Sequence, residues 1–158
     1  MYIRPSIDEI KKRLSQYSAI RVELDILEER LEQLKSEETL PAMRPGTGSK
    51  PTGGTGDRQE RSIIRRMEYE ERHGAEIDAK RAELRFIESS ITAVADPMER
   101  MVLRIRYTES ETAKPMPWRA VAMAIYKDDS DSKMLAIYRL HGRALNSLQG
   151  IMLWKETE

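Results

Sequence analysis

Apolar residues in the first part of the chain recur at intervals of three or four positions, a spacing that places them on one side of a helix. Over residues 6–38 this stripe consists of Ile7, Ile10, Leu14, Tyr17, Ile20, Leu24, Leu27, Leu31 and Leu34. Ser6 and Glu9 have the spacing of a capping box, which opens a helix. The pattern therefore predicts one continuous helix over residues 6–38.

A second and weaker stripe predicts another helix over residues 58–95. The segment between them, residues 41–57, holds five of the eight glycines and three of the seven prolines, and we predict that it is a flexible linker. Neither helix has enough propensity to be stable alone, so they must pack on each other, on another subunit or on both. We expect a helical hairpin or coiled coil over residues 1–95 and self-association into a homo-oligomer.

The pattern changes at Asp96, which can cap a new helix that Pro97 begins. Shorter helices are predicted over residues 97–107, 118–126 and 132–149, and the last is the longest. Three helices of this kind form a compact helix-turn-helix unit, which we place at residues 96–158. The predicted fold class is all-α, with a long N-terminal hairpin or coiled coil followed by this unit.

The last of these helices carries basic residues and no acidic residue between Ser132 and Gln149. Its helical periodicity places Met134, Ile137, His141, Ala144, Leu145 and Leu148 on an apolar side. The opposite side could meet a DNA major groove, because an arginine fork matches guanine O6 and N7. The alternative is a solvated basic face without a partner. The predicted DNA-binding residues are Ser132, Lys133, Ala136, Arg139, Arg143 and Asn146.

We predict that Trp118, the one tryptophan of the preceding helix, has a packing role. Trp118, Val121, Ala122 and Ile125 share a helical face, and a tryptophan among apolar residues at this spacing is usually part of a core.

The overall composition narrows the class of protein. Lys plus Arg equals Asp plus Glu at 27 each, so DNA binding would have to depend on local charge. The chain contains no cysteine, which excludes disulfides, thiolate catalysis and sulfur-ligated metals. We find no secretory signal and no membrane-spanning stretch, and expect a cytoplasmic protein that is not an enzyme. We predict no catalytic residue, no metal site and no cofactor.

Three strings of the C-terminal third share one pattern, DPMERMVLRIRY from Asp96, WRAVAMAIY from Trp118 and AIYRLHGRALNSL from Ala136. Together they resemble region four of bacterial sigma factors and, more closely, sigma-like phage activators of the ArpU and RinA type. One departure is the turn at residues 127–133, which is longer than in that family and contains Asp128, Asp129 and Asp131. These carboxylates are expected to interact favourably with the positive, N-terminal end of the helix predicted over residues 132–149, which would be the recognition helix. They are expected to repel phosphate where they face DNA.

The resemblance implies a sequence-specific, double-stranded DNA-binding transcriptional regulator. It further implies an activator of phage or prophage late genes that acts in the host bacterial cytoplasm and contacts host RNA polymerase. One alternative is a DNA-packaging protein like a terminase small subunit, which also joins a helix-turn-helix to oligomerising helices. The other is a coiled-coil interaction protein whose basic helix docks on acidic protein surfaces.

Overall fold

The computed structural model describes residues 2–39 and 55–155, and within them the chain is all-α, as predicted. Most of the linker predicted at residues 41–57 lies outside the described residues. Its last residues do not: the third helix begins at Thr55 and so includes positions that the glycine content had assigned to the linker. None of the helices in the described ranges is long and apolar enough to cross a membrane.

The first helical stretch is divided in two, so the prediction of one continuous helix over residues 6–38 is wrong. Helix α1 covers Ile7–Ser15 and α2 covers Tyr17–Thr39. At Gln16 the amide donates to the carbonyl of Arg13, three residues back, at 3.3 Å, which tightens the last turn of α1. The apolar stripe continues in phase across this break, since Leu14 and Tyr17 are both buried, and the sequence pattern therefore gives no sign of it.

Two predicted helix starts, those capped by Ser6 and Asp96, are confirmed in atomic detail. The hydroxyl of Ser6 accepts from the Glu9 amide at 3.2 Å, and the Glu9 carboxylate accepts from the Ser6 amide at 2.7 Å. Asp96 accepts from the amides of Met98 and Glu99 at 2.8 and 3.1 Å. Each cap satisfies backbone donors that the first turn of a helix leaves unpaired.

The remaining elements follow the predicted order. Helix α3 covers Thr55–Thr92, α4 covers Pro97–Leu103, α5 covers Trp118–Tyr126 and α6 covers Asp131–Ile151. A π-helical turn, Arg104–Thr108, continues α4 and ends with the Glu109 amide bonded to the carbonyl of Arg104 at 3.0 Å. Two short strands, β1 (Tyr2–Ile3) and β2 (Trp154–Lys155), pair antiparallel and join the two ends of the described chain.

By contacts the chain divides into two compact units, and the division differs from the one that the sequence placed at residue 95. The first unit contains the residues up to Val22 and those from Ala82 onward, and the second runs from Glu23 to Arg81. The N-terminal helix α1 packs on α6, which places it in the same unit as the C-terminal helices. The end of α3 also belongs to this unit, where Ile87, Ile91 and Val94 are buried.

The second unit is an antiparallel pair made of the outer parts of α2 and α3. Lys80 pairs with Glu23 at 2.7 Å, whereas Arg66, earlier in α3, pairs with Glu38, later in α2, at 2.5 Å. The hydroxyl of Tyr69 donates to the carbonyl of Leu27 at 3.0 Å between these two pairs. Leu24, Leu34 and Ile77 are buried, so part of the leucine stripe packs within one chain. Self-association through this unit stays a prediction.

Candidate nucleic-acid interface

Helix α6 separates an apolar side from a polar side along the boundary that its sequence predicts. Ile137, His141, Ala144, Leu145 and Leu148 are all buried, and Met134 is half-buried. This inner side packs against α4, α5 and α1. The orientation of α6 is therefore fixed by its core contacts, and its other side faces outward.

The outward side brings together five of the six residues predicted to bind DNA. Ser132, Arg139, Arg143 and Asn146 are exposed and Ala136 is half-buried, and we call these five residues the arginine face. The sixth, Lys133, lies to the side, about 120° around the helix from Arg139. Its ammonium group is 5.0 Å from the centre of the Tyr126 ring on α5. A cation at that distance over an aromatic ring is held by the ring's electron density. The arginine face therefore carries two cations, and Lys133 stands beside it.

Arg139 and Arg143 stand one helical turn apart and make no hydrogen bond or ion pair with any residue in the described part of the chain. Two other arginines of the same unit, Arg13 and Arg100, are engaged internally. Arg13 forms a two-pronged contact with Glu83 at 2.5 and 2.6 Å, and Arg100 donates to the carbonyl of Val94 at 2.7 Å. Two free guanidinium groups on a rigid helix can hold an anion or the edge of a guanine without first breaking an internal contact.

The turn before α6 is shorter than the sequence predicts. Helix α5 ends at Tyr126 and α6 begins at Asp131, so only residues 127–130 lie between them. Lys127 ends α5 in the left-handed conformation, with φ of 58°, and its amide donates to the carbonyl of Met123 at 3.1 Å. The apparent extra length arose because the first residues of α6 were counted as turn.

Asp128 lies just before α6, where a carboxylate is favoured by the free amides of the helix start. Its two oxygens accept from the amide and the hydroxyl of Ser130, at 2.9 and 3.0 Å. These hydrogen bonds, the backbone one first, lower the pKa of Asp128 below its ordinary value, so the group stays charged. Asp131 also stands in the first turn of α6. The end of the helix that precedes Ser132 is therefore acidic, in contrast to the arginine face.

Trp118 connects α5 to α6 and has the packing role that was predicted for it. The centre of its ring lies 4.6 Å from the centre of the His141 ring and 5.5 Å from that of the Tyr138 ring, and both contacts are edge-on. On its other side the guanidinium of Arg106 lies 4.3 Å from the ring centre. Val121 and Ala122, on the same helix, are fully buried. These contacts hold α5 and α6 at a fixed angle to each other.

Two apolar residues beside the arginine face were missed by the sequence analysis. Leu135 is 49% exposed and Tyr138 is 48% exposed, although both are large and apolar. Leu135 stands one turn before Arg139 on the outer surface of α6. The helical periodicity already carried this signal, since Leu135 falls outside the apolar side of α6. An exposed leucine at this position can contact a thymine methyl group.

A buried polar group supports α6 from within the core. Nε2 of His141 lies 2.7 Å from the hydroxyl of Tyr107, which the π-helical turn positions. Burial raises the pKa of Tyr107, so its hydroxyl keeps its proton and can donate to a neutral imidazole. Burial, followed by the charges of Lys11 and Arg106, lowers the pKa of His141 to about 4. The folded unit therefore requires His141 in its neutral form.

The stability of this unit is expected to fall as the pH drops from about 6.5 to 4. The folded pKa of His141 lies below the ordinary value of 6.5, so in this range the unfolded chain binds a proton that the folded chain excludes. Because some solvent reaches the ring, we expect a loss of about 2 kcal/mol, less than the full linkage energy of the shift. Urea unfolding of the parent and of His141→Gln at several pH values isolates the effect, because all other groups titrate in both proteins. If the unfolding free energies of the two proteins depend on pH in the same way, His141 is not the source of the effect.

No family model, no curated protein and no solved structure matches this chain. The resemblance to sigma-like activators therefore stays a prediction. Among the residues that the structure describes, no group of three or more histidine, aspartate or glutamate side chains is arranged to hold a metal ion.

Proposed function

We propose that the chain is a sequence-specific DNA-binding transcriptional regulator that places α6 in the major groove of double-stranded DNA. The observation that carries this proposal is the arginine face, with two unengaged arginines one turn apart on a helix whose opposite side is buried. With 21 residues, α6 is about 30 Å long, and a helix of ordinary width fits the major groove.

The connection between α5 and α6 supports the same proposal. Two helices joined by three or four residues, with the second helix outward, are the arrangement in which a recognition helix enters a groove. Here the connection has four residues, 127–130. The Trp118 contacts with Tyr138 and His141 make this pair rigid, so binding would not have to order it.

The regulatory role is an activator of phage or prophage late genes with host RNA polymerase as a second partner, as the resemblance implies. The net charge of zero over the chain makes recognition depend on the arginine face rather than on a general basic surface.

Selection from a pool of random DNA duplexes, followed by sequencing, tests the proposal directly. The purified chain is expected to enrich a short motif, and the recovered duplex should bind at least 1,000 times more tightly than unselected DNA, on the order found for specific binders. If duplexes are recovered but no motif is enriched, the chain binds DNA only non-specifically and the proposal of sequence-specific regulation is wrong. If no duplex is recovered, the arginine face is a solvated surface without a DNA partner.

A DNA-packaging role like that of a terminase small subunit is the second candidate. It is favoured by large apolar residues exposed on the α2–α3 pair, Ile26, Ile64 and Met67, which a ring of subunits would cover. Sedimentation velocity distinguishes the packaging role from the regulator role. A packaging protein is expected to form a closed ring of many subunits, whereas a regulator is expected to be a monomer or a dimer.

A further inference from the structure

The N-terminal helix lies against the recognition helix and runs in the opposite direction. Tyr2 pairs with Lys155 in the short sheet, and the carbonyl of Pro5 accepts from the Gln149 side chain at 2.9 Å. Ile10 and Leu14 are fully buried on the inner side of α1, which packs on α6. Residues later in α1 therefore lie beside residues earlier in α6.

Lys11 is the cation of α1 that this arrangement brings next to α6. Lys11 and Arg13 lie on opposite flanks of the buried side of α1, because each is about 80° from the direction between Ile10 and Leu14. Arg13 contacts Glu83 of α3, so Lys11 is on the flank next to α6. The side chain is exposed and makes no hydrogen bond or ion pair with any described residue. Lys12 is also exposed, but one residue further along a helix is a rotation of about 100°, which turns it away from α6.

The two borders of the arginine face differ in charge towards the C-terminal end of α6. Around α6, Gln149 and Ser147 lie on opposite borders of this face, because successive residues are about 100° apart. The Gln149 border meets α1, which contributes Lys11. At the other border the hydroxyl of Ser147 donates to the Glu99 carboxylate of α4 at 3.1 Å. A DNA strand beside α6 would be attracted at the first border and repelled at the second.

We propose that Lys11 contacts a DNA phosphate beside the groove that α6 enters, so that the N-terminal helix completes the DNA-binding surface. This inference rests on the function proposed above and adds to it a contact from a segment far from α6 in sequence. It also sets the orientation, with one phosphate strand along α1 and the α4 border facing away from DNA.

Lys11→Gln and Lys12→Gln test the contact, because both remove one exposed positive charge from the same helix. The probes are the duplex that the parent protein selects from a random pool and an unselected duplex, each measured at several salt concentrations. Lys11→Gln should weaken binding to both by a similar factor and reduce the slope of log K against log salt by about one unit. Lys12→Gln should change the slope much less, and Lys11→Arg should keep it at the parent value.

The outcomes separate this inference from the proposed function. If the parent binds its selected duplex and Lys11→Gln matches Lys12→Gln in affinity and slope, the phosphate contact is wrong while DNA binding stands. If Lys11→Arg loses as much as Lys11→Gln, the effect does not come from the charge, and the contact is again wrong. If the parent binds no duplex, both proposals fail. Circular dichroism is expected to show all three variants folded, because both lysines are exposed.

Discussion

Replacing Ile137 with alanine is expected to lower the free energy of unfolding by about 2–5 kcal/mol. Ile137 is 0% exposed and lies on the inner side of α6, the side that packs on α4, α5 and α1. Removing three carbons there loses the transfer energy of the side chain and leaves a cavity that the helices can only partly close. Urea unfolding at neutral pH, followed by circular dichroism, measures the change.

Leu135→Ala is the matched control, since it shortens a side chain of the same size two positions away on the same helix. Leu135 is 49% exposed, so its loss should change the unfolding free energy by no more than about 0.5 kcal/mol. A similar loss in both variants would mean that α6 is not oriented as described. A larger loss for Leu135→Ala than for Ile137→Ala would mean that the helix buries its other side.

Replacing Arg139 and Arg143 together with alanine should abolish selective DNA binding while leaving stability almost unchanged. An arginine that holds guanine in two-pronged fashion contributes about 1–3 kcal/mol of discrimination, and each 1.4 kcal/mol is a tenfold change in affinity. Neither side chain has an internal partner among the described residues, so folding loses nothing by their removal. Competition between the selected duplex and unselected DNA measures the loss of discrimination.

Arg61→Ala/Arg65→Ala is the control for total charge. These arginines are also exposed and one turn apart, but they lie on α3 in the second unit. The control removes the same two charges and should retain the preference for the selected duplex. If the two double variants lose affinity equally, the arginines of α6 act only through general charge. If the α6 variant binds its duplex as tightly as the parent, placement of α6 in the groove is wrong.

Comparison of single variants separates base contacts from phosphate contacts. A base contact by Arg139 would relax the preference at one position of the selected motif. A phosphate contact would weaken all duplexes alike and lower the salt slope by about one unit. Repeating the duplex selection with Arg139→Ala and with Arg143→Ala therefore assigns a role to each side chain.

Local sequence signals were enough to place the starts of α1 and α4 and to identify the buried side of α6. Ser6 with Glu9 and Asp96 with Pro97 mark helix starts because a cap is formed by residues two or three positions apart. The buried side of α6 follows from the spacing of Ile137, Ala144 and Leu148, since a regular helix turns by a fixed angle per residue. Such signals are local, and tertiary contacts did not override them.

Which helices pack together, and how their contacts shape the surface, follows from the three-dimensional structure and not from sequence patterns. The break at Gln16 leaves the apolar stripe in phase, so only the packing of α1 on α6 reveals α1 as a separate element of the C-terminal unit. Helical periodicity puts Lys133 to the side of the arginine face, but its contact with the Tyr126 ring of α5 is formed only when α5 and α6 pack. These outcomes depend on residues far apart in sequence, whose contacts form only after the helices pack, and helical periodicity carries no information about them.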